Sequence, residues 1–156
     1  MSTPPSGPAS FEPTLARLCD AVAAAPDRDA ALRAVVHVLS EAHPHFTWTG
    51  IYLLEQGALV LHNQVGAPTP HERIPLAKGI CGLAARENRT VVVPDVTRDP
   101  RFLACSLTTR SEIVVPIRRG GRVLGEIDVD SDQPDAFGDA DRLLLEAAAA
   151  EIARIF

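Results

Sequence analysis

Residues 103–131 read LACSLTTRSEIVVPIRRGGRVLGEIDVDS, and the fold turns on how this stretch pairs with itself. Branched apolar residues alternate at Ile113, Val115 and Ile117, and again at Val123, Ile127 and Val129. A period of two marks strands with one buried face, and Gly120-Gly121 between the runs makes them a hairpin. A two-residue turn there would send the two apolar rows to opposite faces, because a slip of one residue flips every side chain. An odd loop, Arg119-Gly120-Gly121 with a glycine at positive φ, restores a common face. The predicted register sets Glu112 opposite Asp128. It places all six branched residues on one face and Glu112, Glu126, Asp128 and Asp130 on the other.

Like charges crowded on one sheet face repel, and two readings of that face stand side by side. It is a solvated acidic surface, or it is a site that needs negative charge for an ammonium group, a metal or a proton transfer. Cys105, seven residues before Glu112, draws attention to the second.

The rest of the chain narrows the class. With 156 residues, 46% of them hydrophobic and 22% charged, the sequence predicts one globular domain over residues 11–156, preceded by a Pro/Ser/Gly-rich disordered tail over 1–10. A net charge of −5 argues against a nucleic-acid partner. No stretch approaches the roughly 18 consecutive apolar residues of a membrane span. The opening MSTPPSGPAS lacks the charged-then-apolar pattern of a secretory leader. Three cysteines, an odd number, suit a reducing cytoplasm better than a secreted disulfide scaffold.

Leu15, Leu18, Cys19 and Val22 form one helical stripe, with Cys19 expected in the core. A second helix opens at Pro26-Asp27, carries Leu32, Val35, Val36 and Leu39, and stops before Pro44. Residues 46–54 and 58–63 read as paired strands around Gln56-Gly57, and residues 71–75 as a short strand. Trp48 and Tyr52 share parity in the first of these, as a buried row or as the wall of a pocket. Gly79 and Gly82 precede a short helix over 83–87, so Cys81 falls near a helix N-terminus, where the dipole favours a thiolate. Another strand ends at Pro94, residues 97–110 form a long loop, and a last helix begins at Gly138 or Asp139. The order predicts an α+β fold, a mostly antiparallel sheet with helices on one face. Exposed Ala and Leu on the first and last helices suggest a homodimer contact.

VVVPDVTRDPRF (91–102), TRSEIVVPI (109–117), GRVLGEIDVDS (121–131) and a D-x-x-LLE helix together resemble a GAF domain over residues 30–156. The resemblance implies a central sheet of five or six strands, helices behind it, and a loop-covered small-molecule pocket on the other face. Within that superfamily the chain is similar to the free methionine-(R)-sulfoxide reductases. The motifs are Trp48-Thr49-Gly50-Ile51-Tyr52-Leu53-Leu54, Arg73-Ile74-Pro75, Gly79-Ile80-Cys81-Gly82, Ala104-Cys105 with Ser111-Glu112, and Asp128-Val129-Asp130-Ser131. Two positions depart from that pattern: His71 stands where the family carries a resolving cysteine, and Ser106 where the residue after the reactive cysteine is acidic.

The resemblance implies a thiol-dependent reductase of free L-methionine-(R)-sulfoxide that needs no cofactor. Cys105 would be the nucleophile and Asp128 or Asp130 the acid. Glu112 would contact the substrate amino group or oxygen, with Trp48 and Tyr52 as pocket residues. The sulfenic acid left on Cys105 would be resolved by Cys81 or by an outside dithiol such as thioredoxin or glutathione. A metal site drawn from His71, Cys81, Cys105 and Asp130 has no short-spacing motif behind it and is not assigned. The alternative is a GAF sensor or binding module that holds a small ligand without chemistry, which the loss of the third cysteine favours.

Overall fold

The computed structural model describes residues 11–103 and 107–156; the predicted tail and Cys105 lie outside the described residues. Helix α1 (Glu12–Ala24) carries Pro13 in its first turn, where no hydrogen bond is lost, and buries Leu18. Leu15 and Val22 pack partly beside it. Cys19 departs from expectation, because it sits half-buried at the edge of the stripe rather than in the core. Helix α2 (Arg28–Ser40) starts at Asp27, whose side chain accepts a hydrogen bond from the Ala30 N–H at 2.8 Å. Its buried face includes Leu32, Val35, Val36 and Leu39, the predicted stripe.

Six strands follow: β1 (Trp48–Glu55), β2 (Ala58–Val65), β3 (Arg73–Pro75), β4 (Val91–Val93), β5 (Ser111–Arg119) and β6 (Arg122–Ser131). They form one sheet in the order β3-β2-β1-β6-β5-β4, and every neighbouring pair is antiparallel. Helix α3 (Gly79–Glu87) lies between β3 and β4 in the chain, and α4 (Asp139–Ala153) closes it. Asp141 in the first turn of α4 accepts from the Gly138 N–H at 3.0 Å, fixing that helix start.

The central hairpin corrects the predicted loop. Gly120 and Gly121 have φ of 58° and 78°, and Arg119 faces Arg122 across them. This is a two-residue turn of the kind that matches strand twist and needs two left-handed residues. The register then shifts between Ile117 and Arg118, where Leu124 is an extra residue on β6. That bulge restores the parity that the turn alone would have broken. Glu112 therefore faces Asp130, and Val114 faces Asp128, two positions away from the predicted pairing. Above the bulge the faces exchange: Leu124 joins the helix side, and Val123 packs on the other.

The sheet divides the protein into two apolar layers. On one face Ile51, Ile113, Val115, Ile117, Ile127 and Val129 pack against α1, α2 and α4. On the other Trp48, Tyr52, Leu59, Val91, Val93 and Val114 pack against α3 and its surroundings. Three helices thus back the sheet, as expected, while the short α3 stands on the opposite face.

Candidate active site

The face under α3 is where the acidic residues converge. Antiparallel pairing of β1 with β6 sets Trp48 opposite Asp130, Gly50 opposite Asp128 and Tyr52 opposite Glu126. On the other flank of β6, β5 contributes Glu112 opposite Asp130. The side chains at 112, 126, 128 and 130 share this face and are at most 2% exposed. The reading of a solvated acidic surface is thereby excluded.

Both aromatics brace a loop. The Trp48 indole N–H donates to the Ala67 carbonyl at 2.9 Å, and the Tyr52 hydroxyl to the His71 carbonyl at 2.8 Å. The His71 N–H in turn donates to Thr69 Oγ1 at 3.1 Å. These bonds hold residues 66–72 against the sheet, and His71 serves them through its backbone. Gly50 lets the indole lie flat, because a Cβ there would come within 2.5 Å of the Trp48 ring.

Helix α3 begins at Gly79, earlier than predicted, with φ of 72° against Leu103. Cys81 sits in its first turn, 4% exposed, and its thiol donates to Asp128 Oδ2 at 3.4 Å. Ile74, Gly79, Ile80, Cys81, Leu103 and Glu112 line a small cavity of about 10 Å³ at this point. Leu103, which lines this cavity, and the buried Thr109, which slightly offsets the rise at Asp130, thus flank the same site on either side of the chain segment that contains Cys105.

Electrostatics here are set by burial. Desolvation pushes Glu126 well above the ordinary carboxylate range, with the Asp128 charge adding to it. Asp130 is pushed up strongly by burial and then by Asp128. Asp128 is raised by burial, opposed by hydrogen bonds from Glu112, Cys81 and Asp130. Among the described residues no donor reaches either oxygen of Glu126 or Asp130, or Oδ1 of Asp128. Neighbouring carboxyls can bond each other only when one carries a proton, so proton retention and the hydrogen bonding of the cluster are one fact.

The expected thiolate at Cys81 is reversed. Burial, then the charges of Asp128, Glu126 and Glu112, raise its pKa well above the ordinary thiol value. A helix N-terminus contributes at most a couple of kcal/mol, and here it is outweighed. Glu126 joins the site as well, and its alternation with Asp128 and Asp130 along β6 is the signal that marks it in the sequence. Ser111 and Ser131 fix the following linker: Ser111 Oγ donates to the Gln133 carbonyl at 2.6 Å, and Ser131 Oγ accepts from the Gln133 N–H at 3.2 Å.

The α3 side of the sheet thus carries a buried acidic pocket lined by residues of β3, α3 and β5. The GAF domain family signature matches residues 27–156, and the chain belongs to that family. It is 32% identical over 118 residues to the free methionine-R-sulfoxide reductase of Escherichia coli, covering 76% of this chain and 71% of that protein. It is 39% identical over 102 residues to GAF domain-containing protein A of Dictyostelium discoideum, covering 65% of this chain and 64% of the relative. The chain thus spans about two thirds of the length of these relatives. Among solved structures, free methionine-R-sulfoxide reductase from Neisseria meningitidis in complex with its substrate superposes with a TM-score of 0.88 at 37% identity, covering 94% of this chain and 87% of that one.

Proposed function

We propose that this protein reduces free L-methionine-(R)-sulfoxide to methionine, with Cys105 as the nucleophile. The observation that carries the reading is the convergence of Cys81, Glu112, Asp128 and Asp130 in one buried pocket whose described flanks, Leu103 and Thr109, bracket Cys105 in the chain. The names of the E. coli and N. meningitidis relatives support it.

The Cys105 thiolate attacks the sulfoxide sulfur. The sulfoxide oxygen passes to the cysteine, leaving a sulfenic acid and releasing the thioether. The departing oxygen needs a proton in the transition state, and a carboxyl that keeps its proton near neutral pH can give one. Burial raises Asp130 well above the ordinary carboxylate range and raises Asp128 in the same direction, which inclines both toward holding such a proton. Glu112 lies beside them for the substrate amino group, and Trp48 and Tyr52 hold the apolar side of the pocket.

A thiol then displaces hydroxide from the sulfenic sulfur, giving a disulfide and water, and a second thiol returns Cys105 to its reduced form. The raised pKa of Cys81 makes it a slow partner in that step, so we assign resolution to an outside thiol reductant, a thioredoxin-type dithiol or two molecules of glutathione. Such a reductant fits a cytoplasmic protein, and we retain the homodimer as the assembly to test by sedimentation.

Methionine release from free L-methionine-(R)-sulfoxide with dithiothreitol tests the proposal. The parent protein should turn over, and Cys105→Ser should not. A parent without turnover, or a variant that matches it, would replace the enzyme with a ligand-binding GAF module.

A further inference from the structure

We propose that Cys81, Glu112 and Asp128 bind a borderline divalent transition ion, best matched by Zn²⁺, in the same pocket. One donor atom from each of the three lies within 4.8 Å of the other two, and all three residues are buried. A tetrahedral zinc with Zn–S of about 2.3 Å and Zn–O of about 2.0 Å holds its sulfur and oxygen ligands roughly 3.5 Å apart. Cys81 Sγ and Asp128 Oδ2 already stand 3.4 Å apart.

A second observation is independent of that spacing. Asp130, 1% exposed, keeps both carboxyl oxygens without a donor among the described residues, and so does Asp128 at Oδ1. Buried carboxyl oxygens without a donor are stabilised by a proton or by a metal. Asp128, with one oxygen on the Cys81 thiol and the other without a donor, can turn either toward an ion.

The donor set also selects the ion. Mg²⁺ and Ca²⁺ prefer oxygen throughout, whereas a thiolate beside carboxylates suits Zn²⁺ and its spectroscopic substitute Co²⁺. Binding replaces the Cys81 proton and the proton shared by the ligating carboxyls: the S–H and carboxyl O–H bonds break, S–metal and O–metal bonds form, and the protons leave to solvent. Affinity therefore rises with pH. Three protein ligands leave a fourth position open. The ion would occupy the place assigned above to a substrate amino group, so it would block turnover. That blocking rests on the reductase reading; the binding itself does not.

The test is a Co²⁺ titration of the full chain, followed by the near-ultraviolet thiolate-to-cobalt charge-transfer absorption and by displacement with Zn²⁺. One equivalent should give the band, which should survive in a Cys19→Ser/Cys105→Ser variant and disappear in Cys81→Ser. Glu112→Gln, which keeps the sulfur, should retain the band with affinity lowered at least about tenfold. If Cys81→Ser does not fold, Glu112→Gln and the Cys19→Ser/Cys105→Ser variant still decide the matter. No band in the parent, a band lost with Cys105, or unchanged affinity in Glu112→Gln would overturn the proposal. In a parallel assay Zn²⁺ should inhibit sulfoxide reduction competitively and reversibly with chelator. A parent inactive without metal would sink the reductase reading alone, leaving the cobalt band to decide the site.

Discussion

A carboxyl buried without a donor favours its neutral form, and Glu126 carries that preference into the stability of the fold. Its pKa is raised in the folded state, so its contribution is complete below the unfolded value and is lost as pH rises through the folded one. Asp128 and Asp130 act in the same direction. Urea midpoints should therefore fall as pH rises above the ordinary carboxylate range of about 4. Glu126→Gln should flatten that slope, and an unchanged slope would mean that Glu126 does not titrate there. Gly50 makes a second prediction at this scale. An alanine would drive its Cβ into the Trp48 ring and should cost about 1–3 kcal/mol as overpacking. Trp48 is the only tryptophan, so its emission reports the displacement directly: a spectrum like the parent's would show that the indole does not need the glycine. The acidic residues themselves were legible in the sequence by their alternation, since burial of one strand face implies a common second face. Their burial was not, because the helix and loops that cover them come from distant parts of the chain.

At the level of elements, the central hairpin shows where parity reasoning holds and where it stops. One face for Ile113, Val115, Ile117, Ile127 and Val129 was required by their apolar side chains, and the fold satisfies it. An odd loop and a two-residue turn plus one bulge give the same parity, so the pattern could not distinguish them. The paired glycines favoured the turn because both must adopt positive φ. Deleting Leu124 should accordingly be tolerated. Val123 would stay opposite Arg118 and Gly125 opposite Ile117, now in unbroken register, and only the partly buried Leu124 contact would be lost. Circular dichroism and a melting curve would check this, and an unfolded product would mean that the bulge supplies needed twist. Helix α2 is legible in the sequence because its signals are local: an acid at the N-cap and apolar residues at helical spacing. Asp27→Ala removes the bond to Ala30 and should lower stability by about 1 kcal/mol, measurable from the urea midpoint.

Across the whole molecule, two apolar layers separate the helix-backed core from the acidic pocket. Leu145 is fully buried on the helix side, so Leu145→Ala should cost about 2–5 kcal/mol of stability. It should leave the substrate dependence of the surviving folded protein unchanged; a change in KM would show that the layers communicate. Nothing local in the sequence announces that β1 lies beside β6, because strand order is decided by long-range packing rather than by any one segment. That adjacency has a bearing on how the protein is made. Trp48 and Asp130 are neighbours across the sheet yet about eighty residues apart in the chain. On a ribosome the first hairpin emerges long before its central partner exists, and its aromatic row has no strand to lie against. Closing so long a loop is entropically costly and slow. The pocket is thus a late product of folding, completed only after the second acidic strand has been synthesised and has slotted in beside the first hairpin.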